Sequence, residues 1–319
     1  MKLVGLILGL LLLLFLASEA LLRLVFGFGT PPLYVADSEV GYRLAPNQSI
    51  RRFGNRIVIN QYSMRGPAIL PQRSPQGLRV LLIGDSIANG GWWTDQPHIL
   101  SLQMQDQLEE MDWPTANSVE VLNASANSWG PRNELAYLRK FGTFEAQVVV
   151  LLINTDDLFA TAPTALPVGR TRNYPDVSPA LAWIEVLNRF RKDLSFPELE
   201  AVQAEGGDRV GNNLAAIQQI HQLVTTAGGQ LILAMTPLLR EVQPPGPRDY
   251  EWVARQRLTT FTSENAIPYI DFLDAFQSRG EGKHLYRDHI HLSAEGNDLV
   301  GTTLTQALYP LLTKDREQK

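Results

Sequence analysis

The sequence predicts an α/β protein, a three-layer sandwich around a parallel five-stranded sheet, led by one N-terminal transmembrane helix. Three observations predict it. First, five short, continuous apolar runs recur: RVLLIG (79–84), VEVLNA (119–124), QVVVLLIN (147–154), QLILAMT (230–236) and PYIDF (268–272). Runs without polar alternation suit strands covered on both faces, which is the habit of parallel sheets. Second, segments with helical apolar spacing lie between them, so strand and helix alternate as right-handed crossovers require. Third, the chain opens on an uncharged stretch of sixteen residues, Leu3 to Ser18.

That opening stretch falls between a signal-peptide core and the ~20 residues of a spanning helix. The apolar pattern continues past Glu19 and Arg23 to Phe28, and these two charges, four apart with the acid first, can pair on a helix face. We read 1–28 as an uncleaved anchor in preference to a cleaved signal or a buried helix of a soluble protein. Lys2 and the amino terminus then stay in the cytoplasm. This gives a single-pass inner-membrane protein whose remaining chain is extracytoplasmic, or periplasmic. GFGTPP (27–32) ends the helix. Residues 29–77 are polar, with scattered Pro, Gly and Arg, and read as a stalk or N-terminal extension packing on the main domain.

The main domain is expected over 78–319. Its helices are expected at ILSLQMQDQLEEM (99–111), ELAYLRKF (134–141), NLAAIQQIHQLVTTA (213–227) and YEWVARQRLTTFTSENA (250–266), with a last one over roughly 295–312. An insertion of about 158–211 follows the third strand and holds a helix-like run, SPALAWIEVLNRFRKDL (178–194). It reads equally as a lid or as a surface elaboration.

Composition excludes several functions. The 319 residues carry 33 acids and 28 bases, a net charge of −5, without a basic tract, so there is no electrostatic footprint for nucleic acid. There are no cysteines, which rules out disulfides, thiolate metal sites and cysteine nucleophiles.

Two motifs carry chemistry. Ser86 follows the first strand of the sheet in VLLIGDSIANGGWW (80–93). Ligands of open α/β sheets meet the carboxyl ends of strands, and Gly84, Gly90 and Gly91 permit tight turns there. Alone, Gly-Asp-Ser reads as well as a plain turn. At the far end, YRDHIHLSAEGN (286–297) places Asp288 and His291 three apart. In a turn entering a helix, that spacing lets the carboxylate reach one ring nitrogen and leaves the other as a general base. The plain alternative is a turn cap beside a satisfied polar residue. Ser293 suits the N-cap of the last helix.

Together, LLIGDSIANG (81–90) and DHIHLSAEG (288–296) resemble the SGNH, or GDSL, hydrolases across about 78–312. GYRLAPN (41–47) and NQYSMRGP (60–67) are similar to membrane-anchored bacterial members. The resemblance implies a flavodoxin-like fold, Ser86 as nucleophile, His291 as base, Asp288 as its orienter, and no cofactor. It also implies an oxyanion hole built from the serine N–H, a glycine N–H after the second strand and an asparagine amide after the third. The glycine position in VLNASANSWGP (121–131) is Ser128, with Gly130 as fallback. In LLINTDDL (151–158) the asparagine position is Asp156 by the Asp-Leu ending, or Asn154 counted from the strand end. An ionised aspartate only accepts hydrogen bonds and would repel an oxyanion. Trp92 and Trp93 either floor a pocket or pack under the next helix. His284, His289 and His291 lack the second acidic or histidine-rich segment a metal hydrolase needs, and His98 and His221 read as structural. The expected function is a membrane-anchored serine esterase acting on O-acetyl or lipid acyl esters, with cell-surface glycan or lipid as partner. The alternatives are an O-acyltransferase on such a glycan, or a catalytically weakened glycan-binding or assembly protein of the same fold.

Overall fold

The computed structural model describes residues 2–113, 116–191, 196–280 and 282–317. Helix α1 (Lys2–Leu21) runs into a π-helical turn (Leu22–Phe26) closed by Gly27. Two antiparallel hairpins follow: β1 (Tyr34–Asp37) with β2 (Gly41–Leu44), and β3 (Gln48–Arg52) with β4 (Asn55–Ile59). Next come β5 (Gly77–Gly84), α2 (Ser86–Asn89), α3 (Leu100–Glu109), β6 (Ser118–Ser125), α4 (Pro131–Phe141) and β7 (Val148–Asn154). The segment after β7 carries α5 (Ala182–Arg189) and α6 (Pro197–Gln203). The chain then forms α7 (Arg209–Thr226), β8 (Gln230–Thr236), α8 (Leu239–Val242), α9 (Asp249–Glu264), β9 (Tyr269–Asp271), α10 (Leu273–Gln277) and α11 (Ala294–Glu317).

The central sheet has five parallel strands in the order β6-β5-β7-β8-β9. From β5 the chain moves outward to β6, then crosses back to β7 on the other side. That reversal opens a crevice at the carboxyl ends of β5 and β7, where such sheets hold ligands. Successive residues of β5 serve opposite faces. Leu81 and Ile83 join a core with α4, α7 and α9, whereas Val80 and Leu82 pack with α3, α10 and α11. Each fully buried aliphatic side chain contributes about 1.5–3 kcal/mol, so both faces hold the sheet in place.

The hairpins add to the first of these cores. Tyr34, Tyr42, Leu44, Ile57, Ile59 and Met64 are buried in the same cluster as Trp129, Leu135 and Leu138. The run expected as one helix over 178–194 is helical from Ala182 to Arg189; its residues 192–194 lie outside the described ones. Its start has a long-range cause. The Glu19 carboxylate of α1 accepts the N–H groups of Ala182 (2.8 Å) and Trp183 (3.2 Å), satisfying donors that a helix start leaves open.

Candidate active site

Ser86 is presented by a chain that turns as soon as its strand ends. Gly84 is required there, because a Cβ would lie 2.4 Å from the Leu152 carbonyl of β7. Asp85 caps the one-turn helix by accepting the Ile87 N–H at 2.8 Å, and Gly90 closes that turn at a φ of 75°. The turn is fastened from two sides. The Asn123 amide of β6 donates to the Ala88 carbonyl at 2.7 Å. Buried Arg65 donates to the carbonyls of Asn89 (2.7 Å), Gly91 and Thr94 (2.6 Å).

His291 arrives on the turn before α11. Asp288 Oδ1 accepts the N–H groups of Ile290 (3.0 Å) and His291 (2.8 Å), and its Oδ2 lies 2.8 Å from His291 Nδ1. His291 Nε2 lies 2.9 Å from Ser86 Oγ. The acceptor-only carboxylate assigns the ring proton to Nδ1 and leaves Nε2 to accept from the serine. Burial works against the Asp288 charge, but the two N–H groups and the imidazole outweigh it and hold the carboxyl below its ordinary value. Ser86 Oγ also lies 3.4 Å from Asp85 Oδ2, a longer contact than the one to His291. The Trp93 ring packs on the imidazole at 4.4 Å between centroids, and Arg287 stacks on Trp92 and Trp93 at 5.3 Å from each ring. Trp93 therefore backs the histidine, and Trp92 packs against Trp93 and Phe53. Ser293 caps α11 through the Gly296 N–H at 3.1 Å.

Ser128 has a φ of 57°, the left-handed conformation that favours glycine. Its hydroxyl accepts from Tyr174 at 3.0 Å. The fallback, Gly130, donates its N–H to Asn133 Oδ1 at 3.1 Å, within the cap of α4. Buried Asn154 directs its amide nitrogen to Asp85 Oδ2 and to Asp157 Oδ2, both at 2.9 Å, which occupies both amide hydrogens. Asp156 opens onto the same crevice. Burial, helped by Glu241 and Glu251 and opposed by Arg240, raises its carboxyl pKa.

Beneath the serine lies a group of acids that sequence reasoning passed over. Burial pushes Asp85 up to about 6. Burial first, then the charges of Asp85 and Glu134, raises Asp157 well above its usual value. Glu134 is fully buried on α4, raised by burial and by Asp85, and neither of its oxygens finds a hydrogen-bond partner among the described residues. A group with a raised folded pKa stabilises fully below its ordinary pKa, and that contribution is lost as pH rises through the folded value. Glu134→Gln is therefore expected to flatten the fall in stability that sets in as pH rises above the ordinary carboxyl range, by up to about 1.4 kcal/mol per pH unit. Urea unfolding at a series of pH values measures it, and parallel curves for the two proteins would refute it.

The crevice over Ser86 encloses about 790 Å³. Its walls include Tyr42, Thr161, Asn173, Tyr174, Gln203 and Arg209, most of them from the insertion, while Trp92 and Trp93 are not among its lining residues. Nothing in the sequence of Tyr174 or Arg209 marked them, because they reach the crevice only through the path of the insertion.

The fold and site define an α/β protein with a serine, a histidine and an aspartate linked at the carboxyl edge of its sheet. The chain belongs to the GDSL-like lipase/acylhydrolase family, whose model matches residues 82–299. No curated protein matches it. Among solved structures it is similar to a GDSL-like lipase from Bacteroides thetaiotaomicron, at 13% identity and a TM-score of 0.45, over 76% of this chain and 92% of that one. It is likewise similar to a catalytic mutant of an acetylxylan esterase from Geobacillus stearothermophilus, at 13% identity and a TM-score of 0.49, over 74% and 95% of the two chains. Likenesses at this level say nothing about substrate.

Proposed function

We propose that this protein is a membrane-anchored, extracytoplasmic serine esterase that cleaves O-acetyl or lipid acyl esters through an acyl-enzyme. The observation that carries the reading is the unbroken path from Ser86 Oγ to His291 Nε2 (2.9 Å) and from His291 Nδ1 to Asp288 (2.8 Å). Ser86 Oγ attacks the ester carbonyl while His291 Nε2 takes its proton, and Asp288 stabilises the imidazolium. The oxyanion is received by the N–H groups of Ser86 and Ser128, with Asp156 as a third donor when protonated. In this reading Asn154 fixes the strand end by tying Asp85 to Asp157. The tetrahedral centre collapses, His291 returns the proton to the leaving alcohol, and water repeats the sequence to release the acid. An alcohol in place of water would make the same steps an O-acyl transfer, and the hydroxyl- and amide-lined crevice suits a glycan as either ester or acceptor.

The anchor is residues 1–28, with 29–77 as an extension packing on the hydrolase domain of 78–319. Helix α1 supports this by being long and apolar enough to cross a membrane, although a signal segment passes the same test. Its last turn supports it further, since Glu19 caps α5 and cleavage there would remove the cap.

Asp288→Asn tests the orienting role. The amide can keep one oxygen on the backbone N–H groups but then turns an N–H toward Nδ1. That favours the wrong tautomer, and kcat on p-nitrophenyl acetate is expected to fall by about 10³–10⁴ with the fold intact. A change of less than about tenfold would remove Asp288 from the mechanism.

A further inference from the structure

Helix α5 exposes more apolar surface than an aqueous segment should. Val177, Leu187 and Phe190 are 70%, 59% and 84% exposed, and Leu181 and Ile184 are exposed beside them. Contiguous apolar surface of this kind marks an interaction site. Its position on the fold says with what.

Helix α5 is pinned to the end of α1. Besides the Glu19 cap, the Trp183 indole donates to Ser18 Oγ at 2.9 Å, and Arg23 donates to the Ala180 carbonyl at 2.8 Å. Below this, Glu185 accepts the Gly29 N–H at 2.7 Å and pairs with Arg52. These contacts hold α5 at the level where the apolar run of α1 gives way to charge. On the other side of that junction Leu21, at the end of α1, and Leu24, Val25 and Phe26 of the connecting turn are exposed as well. Arg189 stacks on Phe28 at 4.9 Å, Arg191 is exposed at the end of the helix, and the helix's single acid, Glu185, pairs with both Arg52 and Arg189, leaving exposed Asp176 beside Val177 as an acid at the edge of the patch. An apolar face, a tryptophan and arginines beside a spanning helix are what the headgroup–acyl boundary of an anionic bilayer accepts.

We infer that α5, with Val177, Leu181 and Phe190, lies in the surface of the bilayer that α1 crosses, as a second, interfacial contact. This rests on the reading of α1 as an uncleaved anchor. It has a consequence for the site. The insertion that carries α5 also supplies Thr161, Asn173 and Tyr174 of the crevice wall. With α5 seated in the interface, the crevice over Ser86 is held at a fixed height and orientation near the lipid surface and does not swing freely on a stalk.

The chain has no cysteine, so single ones can be introduced and spin-labelled in the full-length protein. Leu187→Cys and Phe190→Cys report on the inferred contact, Leu12→Cys on α1, and Ser263→Cys, exposed on α9, on water. Each variant is reconstituted in vesicles of equal parts phosphatidylglycerol and phosphatidylethanolamine, after circular dichroism confirms the fold. Collision with oxygen and with a nickel chelate is then read by power saturation. The expected result is an oxygen-to-nickel ratio at 187 and 190 at least about threefold above that at 263, as for labels seated in the acyl boundary. Lipid exposure at 12 with nickel access at 187 and 190 overturns the interfacial contact and leaves the anchor standing. Labels at 187 and 190 shielded from both reagents, with spin–spin broadening, overturn it in favour of a second copy of the chain. Nickel access at 12 removes the anchor and the contact together.

Discussion

Ser86→Ala is expected to abolish covalent capture by a fluorophosphonate and to lower kcat on p-nitrophenyl acetate by about 10⁴–10⁶, leaving stability unchanged. The size of the loss follows from what Ser86 does in the proposed mechanism. It supplies the bond that splits one difficult displacement into two easier ones, and it is the hydroxyl that lies 2.9 Å from the His291 base. The residual rate would come from the donors and from substrate positioning, which survive the substitution. Stability should hold because, among the described residues, Ser86 Oγ is bound to His291 Nε2 and, at 3.4 Å, to Asp85 alone. Its removal leaves a solvent-facing imidazole nitrogen and a carboxyl already bound to the Ile87 N–H and the Asn154 amide. Capture that persists in a well-folded variant would assign the nucleophile elsewhere. A well-folded wild-type protein that is never captured would bring forward the reading as a catalytically weakened glycan-binding protein.

How far the sequence reached depends on the range of the interactions concerned. The strands were legible because β5, β7 and β8 are continuous apolar runs buried on both faces, a local signal that β6 carries over most of its length and the half-buried edge strand β9 carries more weakly. The Asp288–His291 contact was legible because three residues of spacing inside a turn decide it. The hairpins of residues 34–59 were not, since each strand gives only one or two apolar residues to a core it shares with α4 and α7. Arg65 is the sharper case. One arginine in a polar stretch carried no signal, yet it binds three carbonyls of the loop following Ser86, about 25 residues on. The start of α5 could not be found locally either, because its cap is Glu19, 163 residues away. Trp93 shows the limit from another side. Its nearness to Ser86 in sequence left a pocket floor and packing under the next helix both open, and its ring lies against His291 instead.

The oxyanion hole is where one substitution should raise activity. Asp156→Asn is expected to increase kcat in alkaline solution, by up to about 10²–10³, the worth of one oxyanion donor, with little change in KM. Asp156 opens onto the crevice, and as an ionised carboxylate it offers no donor and repels the developing charge. Its pKa is raised, chiefly by burial, so the protonated, donating form persists to higher pH than for an ordinary aspartate. The sign of the pH dependence follows. Wild-type activity loses this donor as pH rises through the raised pKa, whereas the asparagine variant does not. The ratio of variant to wild type should therefore grow with pH and approach unity in acid, where Asp156 donates. Asn154→Ala supplies the opposing arm. With both amide hydrogens bound to Asp85 and Asp157, its loss should lower stability by about 1–3 kcal/mol, because each buried carboxyl loses one hydrogen bond, Asp85 keeping the Ile87 N–H and Asp157 the N–H of residue 154. If instead Asn154→Ala lowers kcat by about 10²–10³ at unchanged stability and Asp156→Asn is silent, the amide of Asn154 turns to the oxyanion during turnover. Asp156 would then be only a wall of the crevice.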